Sequence, residues 1–239
     1  MIDQTIYFTH IPKTAGTSIR KGIFEPNVPA SKRRTPNGLW SLLEDRTPFR
    51  YMGGHIPYGV HKFFPASPSL YFTILRDPIE RAISHYYNIL HPRGDKDVPD
   101  HPDYEVARTH SLIDFYSLPR FQNVQARMIG GIAATRIGRF VDLNKTAWLG
   151  KIILWLALRN LRTAYAEIGL TERFEETARR FADRLNCTYE PSENKSKVVP
   201  NRPRSSDLSP TERNALRQLN RLDVDLYDAA HTLFVQKQA

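Results

Sequence analysis

An α/β fold, with a mainly parallel central sheet flanked by helices, is what this sequence predicts, and three observations carry it. Residues 5–9 (TIYFT) and 69–75 (SLYFTIL) are rich in β-branched and aromatic side chains, and each runs into a loop and then a helix start. The second stretch is apolar or β-branched without interruption, as a strand buried on both faces of a parallel sheet must be. Helical stripes follow these strands and recur to the C-terminus, the alternation that builds βαβ units.

The first unit reads TIYFTHIPKTAGTS over residues 5–18. The strand enters a short loop, His10 to Gly16, and a helix beginning near Thr17 or Ser18 and running over about 16–24. Unpaired N–H groups and the dipole at such a helix start favour an anion. Lys13 adds a full charge, and Thr14, Thr17 and Ser18 add hydroxyls, so phosphate is the expected ligand. The common nucleotide loop places Lys directly after its last Gly; here Lys13 precedes Gly16 by three residues. That order argues against an ordinary ATPase or GTPase. The bland alternative is a plain connection with an incidental lysine.

A loop over 25–37 and a short helix over Leu39 to Leu43 come next. Residues 49–52 (FRYM) read as a strand ending at Gly53-Gly54-His55. Open α/β sheets place ligand-binding groups just beyond the carboxyl ends of their strands, so His55 stands where chemistry is expected, unless it is a turn histidine without a role. The strand 69–75 runs into Arg76-Asp77-Pro78-Ile79-Glu80. Asp77 suits an N-cap, Pro78 the first helical position and Glu80 the return arm of a capping box. Ile79, Ala82, Ile83, Tyr86, Tyr87 and Leu90 form the inward stripe of that helix, with Arg81 and Ser84 off it. Arg76 at the strand edge and Ser84 two turns on can face the crevice of the first loop.

Residues 91–103 read as a long loop of the kind that forms lids. Helices are expected over 105–116, 121–128 and 147–163, with a break at Gly130-Gly131. A short strand over 167–170 leads into an amphipathic helix carrying Phe174, Ala178, Phe181, Ala182 and Leu185 on one face. After a polar, Pro-rich, basic loop over 189–208, Ser209-Pro210-Thr211-Glu212 forms a capping box opening the C-terminal helical stretch. No repeat and no long linker divides the chain, so a single domain over 1–239 is expected.

Bulk properties narrow the class. At 239 residues and 41% apolar content the chain can bury a real core. Its net charge of +9 calls for an anionic partner without saying which. The lone Cys187 precludes an internal disulfide and fits a reducing compartment. No H-E-x-x-H spacing occurs among the histidines, and His85 and His91 read as surface or loop residues; no metal site is expected. The N-terminus lacks a signal-peptide pattern. The most apolar run, Ile152 to Leu158, is too short to span a bilayer and reads as a buried helix rather than a membrane-surface segment. A cytoplasmic location is expected.

Motifs now coincide. HIPKTAGTS (10–18) resembles the 5′-phosphosulfate loop of sulfotransferases that use 3′-phosphoadenosine 5′-phosphosulfate (PAPS), and LRDPIERAISHYY (75–87) resembles their 3′-phosphate motif. Together they look like the Golgi-type carbohydrate sulfotransferases and their bacterial relatives, with the nearest likeness to heparan sulfate 2-O-sulfotransferases. GGHIPYGVHKFF (53–64) resembles the segment bearing the catalytic histidine. QNVQARMIGG (122–131), IGLTERFEETARRF (168–181) and NRLDVDLYDAAHTLF (220–234) look like later elements of that family. The likeness implies a P-loop-like three-layer sandwich and a role for each residue. Lys13 would bind the phosphosulfate and stabilise the leaving oxygen. Thr14, Ala15, Gly16, Thr17 and Ser18 would cradle the 5′-phosphate, while Arg76 and Ser84 would clamp the 3′-phosphate. His55 would act as general base on an acceptor hydroxyl, and Arg202, in a basic loop over 194–204, would close on the donor. No metal is implied. The 2-O enzymes carry a second histidine two residues before the base, where this chain has Gly53, which leaves the acceptor open. The likeness implies sulfuryl transfer from PAPS to a hydroxyl, most simply of a sugar or glycoconjugate. The competing readings are a P-loop kinase and a basic nucleic-acid-binding module.

Overall fold

Every residue of the first strand, β1 (Thr5–Thr9), is buried, and successive side chains leave a strand on opposite faces. Ile6 and Phe8 therefore enter one hydrophobic cluster and Tyr7 another. A strand buried on both sides needs helices on both sides, and the computed structural model is built that way. It describes residues 4–36, 47–64, 69–91, 100–191, 199 and 202–236. Parallel strands form one sheet in the order β2-β3-β1-β4-β5, with β2 at Arg33–Arg34, β3 at Tyr51–Gly54, β4 at Ser69–Leu75 and β5 at Tyr165–Leu170. Phe8 of β1 lies beside Gly53 of β3 on one side and Phe72 of β4 on the other.

The first helix starts as α1 (Gly16–Ile19), widens into a π-helical stretch, Arg20–Phe24, and ends in the turn Glu25–Asn27. Then follow α2 (Pro78–Leu90), α3 (Tyr104–Thr109), α4 (Leu112–Ser117), α5 (Val124–Gly130) and α6 (Ile132–Ile137). The last are α7 (Ala147–Thr163), α8 (Phe174–Leu185), α9 (Pro210–Leu219) and α10 (Arg221–Gln236). The first helix and α8 cover one face of the sheet, packing Ile19, Ile23, Phe24 and Phe181 against Ile6, Phe8, Tyr51 and Phe72. On the other face α5, α7 and α10 pack on Tyr7, Met52, Tyr71 and Ile168. A third cluster joins α2, α3, α4 and α9 around Phe115 and Phe121.

The expected α/β three-layer sandwich is thus present, and the departures have local causes. The single helix expected over 105–116 breaks at Ser111, whose hydroxyl accepts the Asp114 N–H at 3.2 Å and caps α4. The C-terminal stretch breaks at Asn220, and the capping box at Ser209–Glu212 is formed as expected. Gly131, at φ 112°, ends α5 and starts α6, a helix the sequence reading missed. The loop expected over 25–37 contains the edge strand β2. The helix expected over 39–43 lies outside the described residues, as does most of the loop expected over 91–103.

The run 152–158 corrects its expectation. It is helical, but only Ile153 and Ala157 of α7 are core there, while Ile152 is 47% and Trp155 59% exposed.

This strand order sets the site. The chain leaves β1 for β2 and β3 on one side, then crosses to β4 and β5 on the other. The carboxyl end of β1 is therefore at the topological switch point, where such sheets bind ligands. The loop 10–15, His55 and Arg76 all stand at that edge, after β1, β3 and β4.

Candidate active site

The loop after β1 is curled by residues that rarely adopt its shape. Lys13 (φ 70°) and Ala15 (φ 61°) are left-handed, at a cost on the order of 1–2 kcal/mol each for L-residues. Backbone turned this way aims successive N–H groups into an anion-binding concavity. No side chain caps α1; the N–H groups of Ser18 and Ile19 turn back onto the Ala15 carbonyl at 3.0 and 3.4 Å, so of its first turn those of Gly16 and Thr17 remain for an anion. Thr14 is fully buried and its hydroxyl donates to the Ile11 carbonyl at 2.9 Å. That hydroxyl holds the loop's shape, which leaves Thr14 only its backbone N–H for an anion.

Gly16 could be no other residue without rearrangement. A Cβ there would lie 2.2 Å from Cδ2 of His10, whose ring rests between Phe8 (5.7 Å) and His55 (5.0 Å). Nδ1 of exposed His55 is 2.7 Å from the His10 carbonyl. A carbonyl only accepts, so Nδ1 carries the proton and Nε2 is the basic nitrogen of the neutral ring. Gly53 is equally constrained: a Cβ there would meet the Tyr51 hydroxyl at 1.8 Å. In this chain the Tyr51 side chain occupies the space that a side chain at position 53 would need. The ring paired with His55 is His10, brought there by the β1–β3 pairing.

The helix α2 supplies the facing wall. Asp77 caps it, accepting the N–H groups of Ile79 and Glu80 at 3.0 and 2.9 Å. The expected return arm is absent. The Asp77 N–H goes to Glu172 at 2.9 Å, and the Glu80 carboxylate instead accepts the Ser205 N–H at 2.8 Å. Arg76 (3.5 Å) and Arg202 (3.6 Å) stand on the same carboxylate. Burial pushes Glu80 up, but the Ser205 bonds and these guanidiniums outweigh it and hold the group below its ordinary range. Arg76 also donates to the Lys13 carbonyl at 3.1 Å, and burial followed by the nearby Arg202 lowers its own proton affinity. At the other end, Lys13 Nζ donates to Asn88 Oδ1 at 2.8 Å. Positions 80, 84 and 88 share one helix face. Ser84 thus lies between Glu80, which marks the Arg76–Arg202 corner, and Asn88, which marks Lys13.

Residues behind this wall were not foreseen. Gln125, fully buried, accepts the Arg76 N–H (3.0 Å) and donates to the Arg76 carbonyl (2.9 Å), gripping its backbone from both sides. Gln125 is itself placed by reciprocal caps. Asp223 of α10 accepts the N–H groups of Gln125 and Ala126 (3.2 and 2.8 Å), and Asn123 accepts those of Leu222 and Asp223 (3.0 and 3.4 Å). Arg81, expected off the apolar stripe, is fully buried and lies 3.9 Å from the Asp223 carboxylate. His85 is not a surface residue either. It packs against Phe115 and Phe121, within 3.3 Å of the Tyr116 hydroxyl. Burial, then Arg81, His101, Lys13 and His55, hold it well below 6.5, so it is neutral at physiological pH. The signal for Asn88 and Gln125 was present, as polar residues on otherwise inward helix faces, but their partners are distant in sequence.

Lys13, Arg76, Ser84 and Arg202 are therefore gathered around one cationic crevice, with His55 on the neighbouring strand end. Fold and crevice define a P-loop-like α/β protein with cationic side chains gathered at its switch point. A family model described as the sulfotransferase family matches residues 3–229, and the chain belongs to that family. Membership carries the general activity, transfer of a sulfuryl group from a sulfate donor to an acceptor. No curated protein matches the chain. Among the described residues no cluster of His, Cys, Asp or Glu could hold a metal ion, and no helix is long and apolar enough to cross a membrane.

Proposed function

We propose that this chain transfers the sulfuryl group of PAPS to a hydroxyl of a sugar or glycoconjugate, by in-line displacement with His55 as general base. The observation that carries the reading is the double tie between the first loop and the wall of α2: Lys13 to Asn88, and Arg76 to the Lys13 carbonyl. It holds two cationic side chains at opposite ends of a helix face with Ser84 between them. That arrangement suits a donor with separated 3′ and 5′ anionic groups, and the close packing of His10 on Gly16 leaves no room for a side chain at that point of the loop.

In this reading the N–H groups of Thr14 to Thr17 and the hydroxyls of Thr17 and Ser18 hold the 5′ end. Arg76 and Ser84 hold the 3′-phosphate, and Arg202 closes the corner. His55 Nε2 takes the acceptor's proton, a role worth roughly 10²–10⁴ in rate. Lys13 neutralises charge growing on the leaving oxygen, an electrostatic contribution that is often larger. The lone Cys187 supports a reducing, cytoplasmic setting. A kinase reading loses support because Asp77, the acid following the best strand, is spent on the helix cap.

The test is calorimetric binding of adenosine 3′,5′-bisphosphate against ADP. The bisphosphate should be strongly preferred, and Arg76→Ala should remove the preference. Lys13→Ala should abolish transfer, while His55→Ala should bind the bisphosphate normally and lose turnover. Equal binding of both nucleotides, or Mg²⁺-dependent preference for ATP, would overturn the assignment.

A further inference from the structure

We propose that the outward face of α7 is a docking surface for an anionic lipid bilayer. The helix reads AWLGKIILWLALRNLRT, and its inward face is ordinary: Gly150, Ile153, Ala157, Asn160 and Leu161 are buried against the sheet side. The opposite face is not. Trp148, Ile152 and Trp155 are 67%, 47% and 59% exposed, and their spacing of four and three puts them on one stripe. Phe140, 80% exposed, lies in the segment leading into the helix. Scattered exposed apolar residues are normal, but a stripe with two indoles on one helix marks an interaction surface.

Charge decides the occupant. The stripe continues into Arg159, whose guanidinium sits 5.3 Å from the Trp155 ring centre, and Arg162. No acidic residue occurs in α7, and over 132–163 six Lys and Arg residues face a single acid, Asp142, itself 3.8 Å from Lys145. A second copy would bring the same cations to the same face, and like charges oppose that contact. An anionic bilayer satisfies both halves of the surface. Indoles settle at the headgroup level with the ring body in the acyl boundary, and Arg stems reach phosphate oxygens. At 17 residues, with cations on its outer face, the helix lies on the membrane instead of crossing it.

The experiment is co-sedimentation of the full chain with vesicles of phosphatidylglycerol and phosphatidylcholine in equal parts, and with phosphatidylcholine alone. The wild type should pellet with the anionic vesicles, release on added salt, and ignore the neutral ones. Arg159→Gln/Arg162→Gln should lower affinity by roughly tenfold or more, from about fivefold per basic residue at such a surface. Trp148→Ser/Trp155→Ser should lose binding. Both variants should bind adenosine 3′,5′-bisphosphate as the wild type does, which separates this face from the crevice and from its assignment. Failure of the wild type to pellet overturns the proposal, as does vesicle binding that both variants retain. A dimer in light scattering that the tryptophan variant turns into a monomer also overturns it, because the stripe is then covered by a second copy.

Discussion

Gln125→Leu tests whether the crevice is set from behind. Gln125 touches no expected ligand position, yet both its polar atoms bond the Arg76 main chain at 3.0 and 2.9 Å. Leucine is close in volume, so the fully buried site gains little cavity. The loss is two hydrogen bonds, each worth about 1 kcal/mol net, plus the cost of a stranded N–H and C=O at about 1–3 kcal/mol each where water cannot reach them. Part of that is relieved if the Arg76 backbone shifts, which is the event of interest. We expect a stability loss of about 2–4 kcal/mol in urea unfolding. We also expect at least a tenfold loss in the preference for adenosine 3′,5′-bisphosphate over ADP, about 1.4 kcal/mol. In an Arg76→Ala background the same substitution should cost stability but no further affinity, since the group it positions is gone. A folded Gln125→Leu protein with undiminished preference would refute the reasoning, and would make Gln125 a purely architectural residue.

Gly16→Ala should displace His10, because the new Cβ would sit 2.2 Å from a ring already packed on Phe8; we expect about 1–3 kcal/mol of destabilisation and a fall in turnover larger than the fall in donor affinity, read by steady-state kinetics. Asp223→Ala removes the cap from α5 and leaves Arg81 buried without its counter-charge, so unfolding should show a loss of about 3–5 kcal/mol. Stability should also fall in mild acid. His85 and His61 are held below 6.5 in the folded chain, chiefly by burial, whereas the unfolded chain takes up those protons near 6.5. Below that pH the unfolded state binds more protons, so His85 adds a slope approaching about 1.4 kcal/mol per pH unit, and the more exposed His61 adds less. Urea midpoints between pH 7 and pH 5 should show it, and His85→Gln should flatten the curve.

The sequence alone determined the layers, the ends of β1 and β4 and the start of α2. β4 was legible because an uninterrupted apolar run has few other uses, and α2 because Asp77 and Pro78 are local start signals that act within one turn. The loop 10–18 was legible for the same reason: its residues act on one another across short spacings. The tertiary structure decided everything that depends on partners far along the chain. Glu80 looked like a capping-box arm because its nearest neighbours invited it, but Ser205, more than a hundred residues on, competes successfully for the carboxylate. Arg81 read as off the stripe and His85 as a surface or loop residue because helical periodicity marks which side faces the first core and is blind to other partners, here Asp223 of α10 for Arg81 and the cluster around Phe115 and Phe121 for His85. Helix α7 failed in the opposite sense: hydrophobicity summed along the run suggested burial, while only the packed structure shows that one side of the helix is left exposed among the described residues. The partner of His55 followed the same rule, since strand pairing places His10 beside it and the Tyr51 hydroxyl closes position 53. Short-range chemistry is written in the order of residues, whereas burial and pairing at long range exist only once the sheet has brought its strand ends together.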